Sequence, residues 1–162
     1  MGNELRALSP KLLANNMDLS IIIVSWNVKE LLKKCLLSIY DKTQNLEFEV
    51  FVVDNASKDA TALMVATQFA QVNLIASNEN LGFAKANNLA IEQAQGKYVL
   101  FLNPDTELTD NSLKVMFDLM EQDEKIALST CQLIYPDGTL QKNVKNNPGL
   151  CDQIIILLKL HH

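Results

Sequence analysis

Three short polar clusters each follow directly on an apolar run. Ser25-Trp26-Asn27 follows Ile21-Ile22-Ile23-Val24, Asp54-Asn55 follows Val50-Phe51-Val52-Val53, and Asn103-Pro104-Asp105 follows Tyr98-Val99-Leu100-Phe101-Leu102. Proline fixes φ and has no N–H to donate, so the third run has to stop at Pro104 and a stiff turn presents the Asp105 carboxylate. A carboxylate held that way suits a hard divalent cation, which is usually bound by one or two carboxylates plus the phosphates of a substrate. The plainer alternative is a turn that contains an Asp. Asp54 is suited either to accept hydrogen bonds from a ribose or a base N–H, or to cap the helix that follows it. Trp26 either stacks on a planar ring or, the simpler expectation, packs at the sheet edge.

The elements that must position these groups follow from hydrophobic periodicity. Continuous β-branched or aromatic runs predict strands over 19–24, 48–53, 73–77 and 98–102. Apolar residues at helical spacing predict helices over 28–40, 57–71, 84–95 and 110–122, with Ser57 as the N-cap and Asp59 in the first turn of the second, and Gly96 closing the third. The unbroken run at 98–102 reads as a central strand buried on both faces. A strand over 126–135, the turn Pro136-Asp137-Gly138 and a returning strand over 139–144 predict a late antiparallel hairpin. Strand–helix alternation of this kind calls for an α/β fold, Rossmann-like, with a mostly parallel central sheet sandwiched by helices. The carboxyl ends of its strands line one edge, so the three polar clusters should converge there although they are far apart in sequence.

Composition narrows the function classes. The chain has 162 residues, enough for one domain with a sizeable core, and its 20% charged and 48% hydrophobic residues are ordinary for a globular protein. A net charge of −5 without a basic stripe argues against a nucleic-acid partner. The three cysteines, Cys35, Cys131 and Cys151, are odd in number and widely spaced, which suggests neither a disulfide framework nor a zinc site; all three are expected to fill the core. Residues 1–17 form an N-terminal extension without the apolar core of a signal peptide. No stretch reaches the roughly 20 apolar residues needed to span a bilayer, and the apolar run at 150–160 comes closest. A dinucleotide fold would want glycines after the first strand, where Ser25-Trp26-Asn27-Val28 stands, and a receiver-like domain would want an acidic pair there.

Taken in order, the series I-I-I-V-S-W-N, E-V-F-V-V-D-N-A-S-K-D, N-E-N-L-G-F-A-K-A-N-N, Y-V-L-F-L-N-P-D-T and Y-P-D-G-T-L-Q resembles the nucleotide-binding half of family 2 glycosyltransferases, in particular their rhamnosyltransferase-like branch. Each motif alone is weak, and the five together are specific. The resemblance implies a three-layer GT-A sandwich, a nucleotide-sugar-binding domain over 18–147, and an apolar C-terminal segment over 148–162. It further implies glycosyl transfer with inversion, from a nucleotide-diphosphate sugar to a glycan or lipid-linked acceptor, assisted by Mg²⁺ or Mn²⁺.

In similar enzymes the positions matching Ser25, Trp26, Asn27, Asp54 and Asn55 hold the nucleoside. The segment matching Asn80 to Asn88 lines the nucleotide pocket, Gly82 giving the backbone room for close approach and Asn87 standing where many relatives carry Arg. Asn103 and Asp105 match the D-x-D element, with Asp105 as the metal ligand and an uncharged amide in the first acidic position. The catalytic base of the family lies well downstream; Asp137 belongs to a turn, Asp152 opens an apolar run, and neither is assigned that role. The acceptor half is missing from the likeness, so a truncated chain is expected, with a donor-binding module that is inactive or needs a partner chain as the alternative. Acceptors of similar enzymes imply a cytoplasmic location at the inner face of the plasma membrane. The 150–160 run is then expected either to contact that membrane peripherally or, deprived of a packing partner, to drive self-association.

Overall fold

The structure is a computed structural model, and it describes residues 17–141. Four of the seven residues of β1 (Leu19–Ser25) and five of the seven of β2 (Phe48–Asp54) are β-branched or aromatic, and these strands pair in parallel along their whole length, from Leu19 opposite Phe48 to Ser25 opposite Asp54. β3 (Asn73–Ala76) adds to the far side of β2, and β4 (Tyr98–Phe101) to the far side of β1, giving the order β3-β2-β1-β4, all parallel. Parallel neighbours need crossovers, and the helices supply them. These are α1 (Lys29–Lys42), α2 (Thr61–Gln68) and α3 (Gly82–Ile91), followed by α4 (Ser112–Gln122) after β4.

Alternate residues of each strand feed two cores. Ile21, Ile23, Val50 and Val52 pack with Leu32, Cys35, Leu36 and Ile39 of α1, Met64 and Val65 of α2, and Leu113 of α4. Ile22, Phe51 and Val53 point the other way, against Ala86 and Ala90 of α3. The small alanines let that helix lie close to the sheet. This is the expected α/β sandwich.

Several local expectations change. Strand β4 is an edge strand among the described residues, and Val99 and Phe101 are 40% and 49% exposed, because α3 packs over β1 and β2 and leaves that face of β4 uncovered. An unbroken apolar run cannot distinguish an edge from a centre. Helix α2 starts at Thr61 rather than Ser57, since Ala56 and Ala60 both take left-handed φ (63° and 64°) and keep the intervening residues out of helical geometry. Gly96 does not close α3, which ends at Ile91; it lies against β1, where a Cβ would sit 2.3 Å from the Ser20 nitrogen. Cys35 is core as expected, whereas Cys131 is only partly buried and Cys151 lies outside the described residues.

Residues 128–141 belong to a second compact unit. Its hairpin pairs β5 (Leu133–Ile134) with β6 (Leu140–Gln141), much shorter than the strands expected over 126–135 and 139–144, and residues 142–144 fall outside the described range. The turn itself forms as read: the Gly138 N–H donates to the Tyr135 carbonyl at 2.9 Å with Gly138 at φ 82°, a conformation open to glycine at no steric cost.

Candidate active site

The sheet order places the carboxyl ends of β2, β1 and β4 side by side on one edge. Ser25 is the register partner of Asp54, and the Leu102 N–H donates to the Ile22 carbonyl at 3.0 Å, so Asn103-Pro104-Asp105 runs on beside the end of β1. Two strand spacings separate the Asp54 and Asp105 strands, about 10 Å, a span of nucleotide size.

Ser25 and Asp54 are the buried pair at the centre. Asp54 Oδ2 accepts the Ser57 N–H at 3.2 Å, while Asp54 Oδ1 and Ser25 Oγ are buried without a hydrogen-bond partner. Buried polar atoms are almost always paired, because each unpaired one costs about 1–3 kcal/mol. Two such atoms on paired residues at a sheet's carboxyl end mark a place that a polar ligand would complete.

The neighbouring polar side chains are largely spent on the protein itself. Asn27 sits in the left-handed region (φ 55°), its Oδ1 accepts the Lys58 N–H at 2.7 Å, and its own N–H donates to Ser57 Oγ at 2.9 Å, so it ties the first loop to the second. Asn55 reaches across to the loop before α3, where its Oδ1 accepts the Leu81 N–H at 2.7 Å and its Nδ2 donates to Asn80 Oδ1 at 2.9 Å. Asn87 is buried on the sheet-facing side of α3, with its Nδ2 donated to the Phe83 carbonyl at 2.9 Å. Gly82 has no heavy atom within 4 Å of where a Cβ would stand; its φ of 74°, not crowding, is what calls for glycine. Trp26 is 56% exposed, so the expected packing role is not what the fold gives it, and its ring is left free at the rim.

Asn103 and Asp105 are exposed on the turn after β4, which the Thr106 N–H closes onto the Asn103 carbonyl at 3.2 Å. The same carbonyl accepts the Cys35 thiol at 3.8 Å. That thiol is pushed up to about 12, first by burial and then by the charges of Asp105 and Glu107. Among the described residues no group of three or more His, Cys, Asp or Glu is arranged to hold a metal by itself. One or two exposed carboxylates beside a cleft do fit a cation whose remaining ligands are phosphate oxygens and water.

Sequence reasoning placed Asp59 in the first turn of the second helix and Asn80 in the pocket-lining segment, and missed that both side chains tie neighbouring loops together. Asp59 Oδ2 accepts the Lys29 N–H at 2.9 Å and Oδ1 accepts the Thr61 N–H at 3.1 Å, so one carboxylate caps α1 and α2 together. Burial alone would raise its pKa, but the hydrogen bonds from Thr61 and Lys29 outweigh that and hold the carboxyl below its ordinary range. A signal was present: an Asp two residues ahead of a helical run is a common cap.

Residues 20–160 match the model of Glycosyl transferase family 2. The chain belongs to that family. It is 29% identical over 125 residues to TuaG of Bacillus subtilis, named for teichuronic acid biosynthesis, covering 74% of this chain and 49% of TuaG. Its structure is similar to that of Staphylococcus aureus TarS in complex with UDP-GlcNAc, with a TM-score of 0.59 and 30% identity over 67% of this chain and 32% of that one. The Pyrobaculum calidifontis mannosyltransferase PcManGT, solved with GDP-Man and Mn²⁺, matches with a TM-score of 0.54 and 27% identity, covering 61% and 30%. These neighbours show the GT-A fold for this chain, which spans half or less of each of these relatives.

Proposed function

We propose that this family 2 glycosyltransferase binds a nucleotide-diphosphate sugar across the ends of β2, β1 and β4 and passes the sugar, with inversion, to a glycan or lipid-linked acceptor of the cell envelope. One observation carries the reading: Ser25 Oγ and Asp54 Oδ1 are buried and unpaired on neighbouring strand ends. A nucleoside offers the hydroxyls and ring N–H groups that would pair them. UDP-GlcNAc in TarS and GDP-Man in PcManGT support a donor of this class. The N-P-D form of the strand-end motif favours the rhamnosyltransferase-like branch within the family.

Asp105, with Glu107 beside it, would hold Mg²⁺ or Mn²⁺, which when bound offsets the negative charge of the departing diphosphate. The Trp26 ring is exposed, and in this reading it would cover a base or sugar face. In the reaction the bond from the anomeric carbon to the diphosphate breaks, a bond from the acceptor oxygen forms on the opposite face, and a base takes the hydroxyl proton. We do not assign Asp137 as that base. Its Oδ1 accepts the Thr139 N–H at 2.9 Å and the Thr139 hydroxyl at 2.7 Å, which hold its pKa below the usual carboxylate range.

The engagement of Asp137 favours one second reading, a donor-binding half that works with a further segment or partner chain. Slow hydrolysis of the donor to free sugar separates the two, since a pure binder protects it. A cytoplasmic site of action at the membrane face fits envelope acceptors, and no helix among the described residues is long and apolar enough to cross a membrane. The main test is titration calorimetry with UDP and Mn²⁺. Asp105→Ala is expected to abolish the metal-dependent part of the affinity with the fold intact, and unchanged affinity would overturn the metal assignment.

A further inference from the structure

Asn55 follows Asp54, whose Oδ1 is unpaired, yet its own carboxamide is spent on the loop before α3. It is 3% exposed, and both of its polar atoms are engaged 25 to 27 residues along the chain. Its Oδ1 accepts the Leu81 N–H at 2.7 Å; its Nδ2 donates to Asn80 Oδ1 at 2.9 Å and to the Gly82 carbonyl at 3.5 Å. Asn80 Oδ1 also accepts the Gly82 N–H at 2.9 Å, which fixes which way the Asn80 amide must face. We infer that Asn55 is a positioning residue: it latches the Asn80-Leu81-Gly82 turn to the end of β2 and so sets one wall of the donor pocket without touching the donor. The inference rests on the donor reading proposed above.

The latch depends on an amide, which donates and accepts from one planar group; a carboxylate only accepts. In Asn55→Asp one oxygen still takes the Leu81 N–H, while the other faces Asn80 Oδ1 and the Gly82 carbonyl, both acceptors. Turning the Asn80 amide over does not rescue the contact, because its Nδ2 would then meet the Gly82 N–H. Protonation does rescue it, since a carboxylic acid donates an O–H where the amide donated an N–H. Burial beside two acceptors raises the pKa of the introduced group, which brings that rescue into an accessible range.

The test reads the latch and its consequence separately. Hydrogen exchange on the ligand-free chain reports the Leu81 and Gly82 amides, and titration with UDP and Mn²⁺ reports the pocket. Relative to the parent at the same pH, Asn55→Asp is expected to bind UDP about tenfold more weakly at about pH 8, with the gap closing by about pH 5.5. Asn80→Ala removes the same acceptor and leaves Asn55 Nδ2 only the Gly82 carbonyl at 3.5 Å, so it should lower the melting temperature by only a few degrees and also lose about tenfold in affinity. Unchanged exchange at Leu81 and Gly82 in both variants would overturn the latch. Faster exchange with unchanged UDP affinity would overturn its role in the pocket. A parent chain that binds no UDP while Leu81 and Gly82 stay protected would refute the donor reading, and with it that role, and leave the latch standing.

Discussion

At the scale of single residues, the site is defined by which side chains the protein has left without partners. Ser25, Asn27, Asp54 and Asn55 all read alike in sequence, as polar groups at the mouth of an α/β sheet, with Asn87 added by the family resemblance, and the fold does bring Ser25, Asn27, Asp54 and Asn55 to one edge. It then uses Asn27, Asn55 and Asn87 to hold loops and a helix, and leaves Ser25 Oγ and Asp54 Oδ1 unpaired. Residue type announces the capacity for a hydrogen bond but not who claims it, and this is why position was legible and role was not. An unpaired buried hydroxyl leads to an unusual pair of effects. Ser25→Ala removes a group that costs free energy in the ligand-free chain, so stability to urea should be unchanged or rise by about 1 kcal/mol. Affinity for UDP should fall at the same time. A variant that unfolds more easily and binds as before would show that this hydroxyl faces no ligand.

At the scale of elements, helices α1 and α2 lack side-chain caps of their own, and Asp59 serves both. Asp59→Ala should therefore cost about 1–2 kcal/mol at neutral pH. The folded-state pKa of Asp59 is lowered, so its contribution is complete above the unfolded value near pH 4 and fades as pH falls through the folded value. The difference in urea midpoint between parent and Asp59→Ala should accordingly be constant from neutral pH to about pH 5 and shrink below about pH 4. A gap that widened in acid would reverse the assignment. The opposite end of the sheet holds a second tie. Ser20 Oγ donates to Glu49 Oε1 at 2.6 Å and accepts the Gly96 N–H at 2.8 Å, and the same Glu49 oxygen accepts the Gln95 N–H at 2.7 Å. This knot fixes where β4 begins, and hence where the Asn103–Asp105 turn ends up. A Cβ on Gly96 would stand 2.3 Å from the Ser20 nitrogen and 2.6 Å from the Leu19 carbonyl carbon, backbone atoms with little freedom to move. Gly96→Ala should cost about 3 kcal/mol, and a Tm equal to the parent's would mean that the contact relaxes freely. Sequence placed Gly96 at a helix end because a glycine after an alanine-rich helix usually belongs there; close approach of backbones has no periodicity to betray it. Edge against centre for β4 was hidden for the same reason, since what covers a strand is not written in the strand.

At the scale of the whole molecule, strand–helix alternation made the parallel sandwich legible, because right-handed crossovers leave few other ways to bury such strands. The length of the strands in the 128–141 hairpin was not, since it depends on pairing rather than on local pattern. The chain as a whole is acidic, with a net charge of −5, and the strand-end cluster adds Asp54, Asp105 and Glu107 to that field. A diphosphate approaching without a cation meets like charge, so the phosphates should contribute nothing to affinity until a divalent ion is present. In EDTA, UDP should bind no tighter than uridine, and added salt should strengthen UDP binding by screening the repulsion over a Debye length of about 8 Å at physiological ionic strength. With Mn²⁺ the order should reverse, with UDP well ahead of uridine and salt now weakening it. Calorimetry of both ligands, in both conditions and at two salt concentrations, reads the sign directly. If UDP outbinds uridine in EDTA, fixed cations such as Lys29 or Lys58 are holding the diphosphate, and the carboxylates of the β4 turn have some other task.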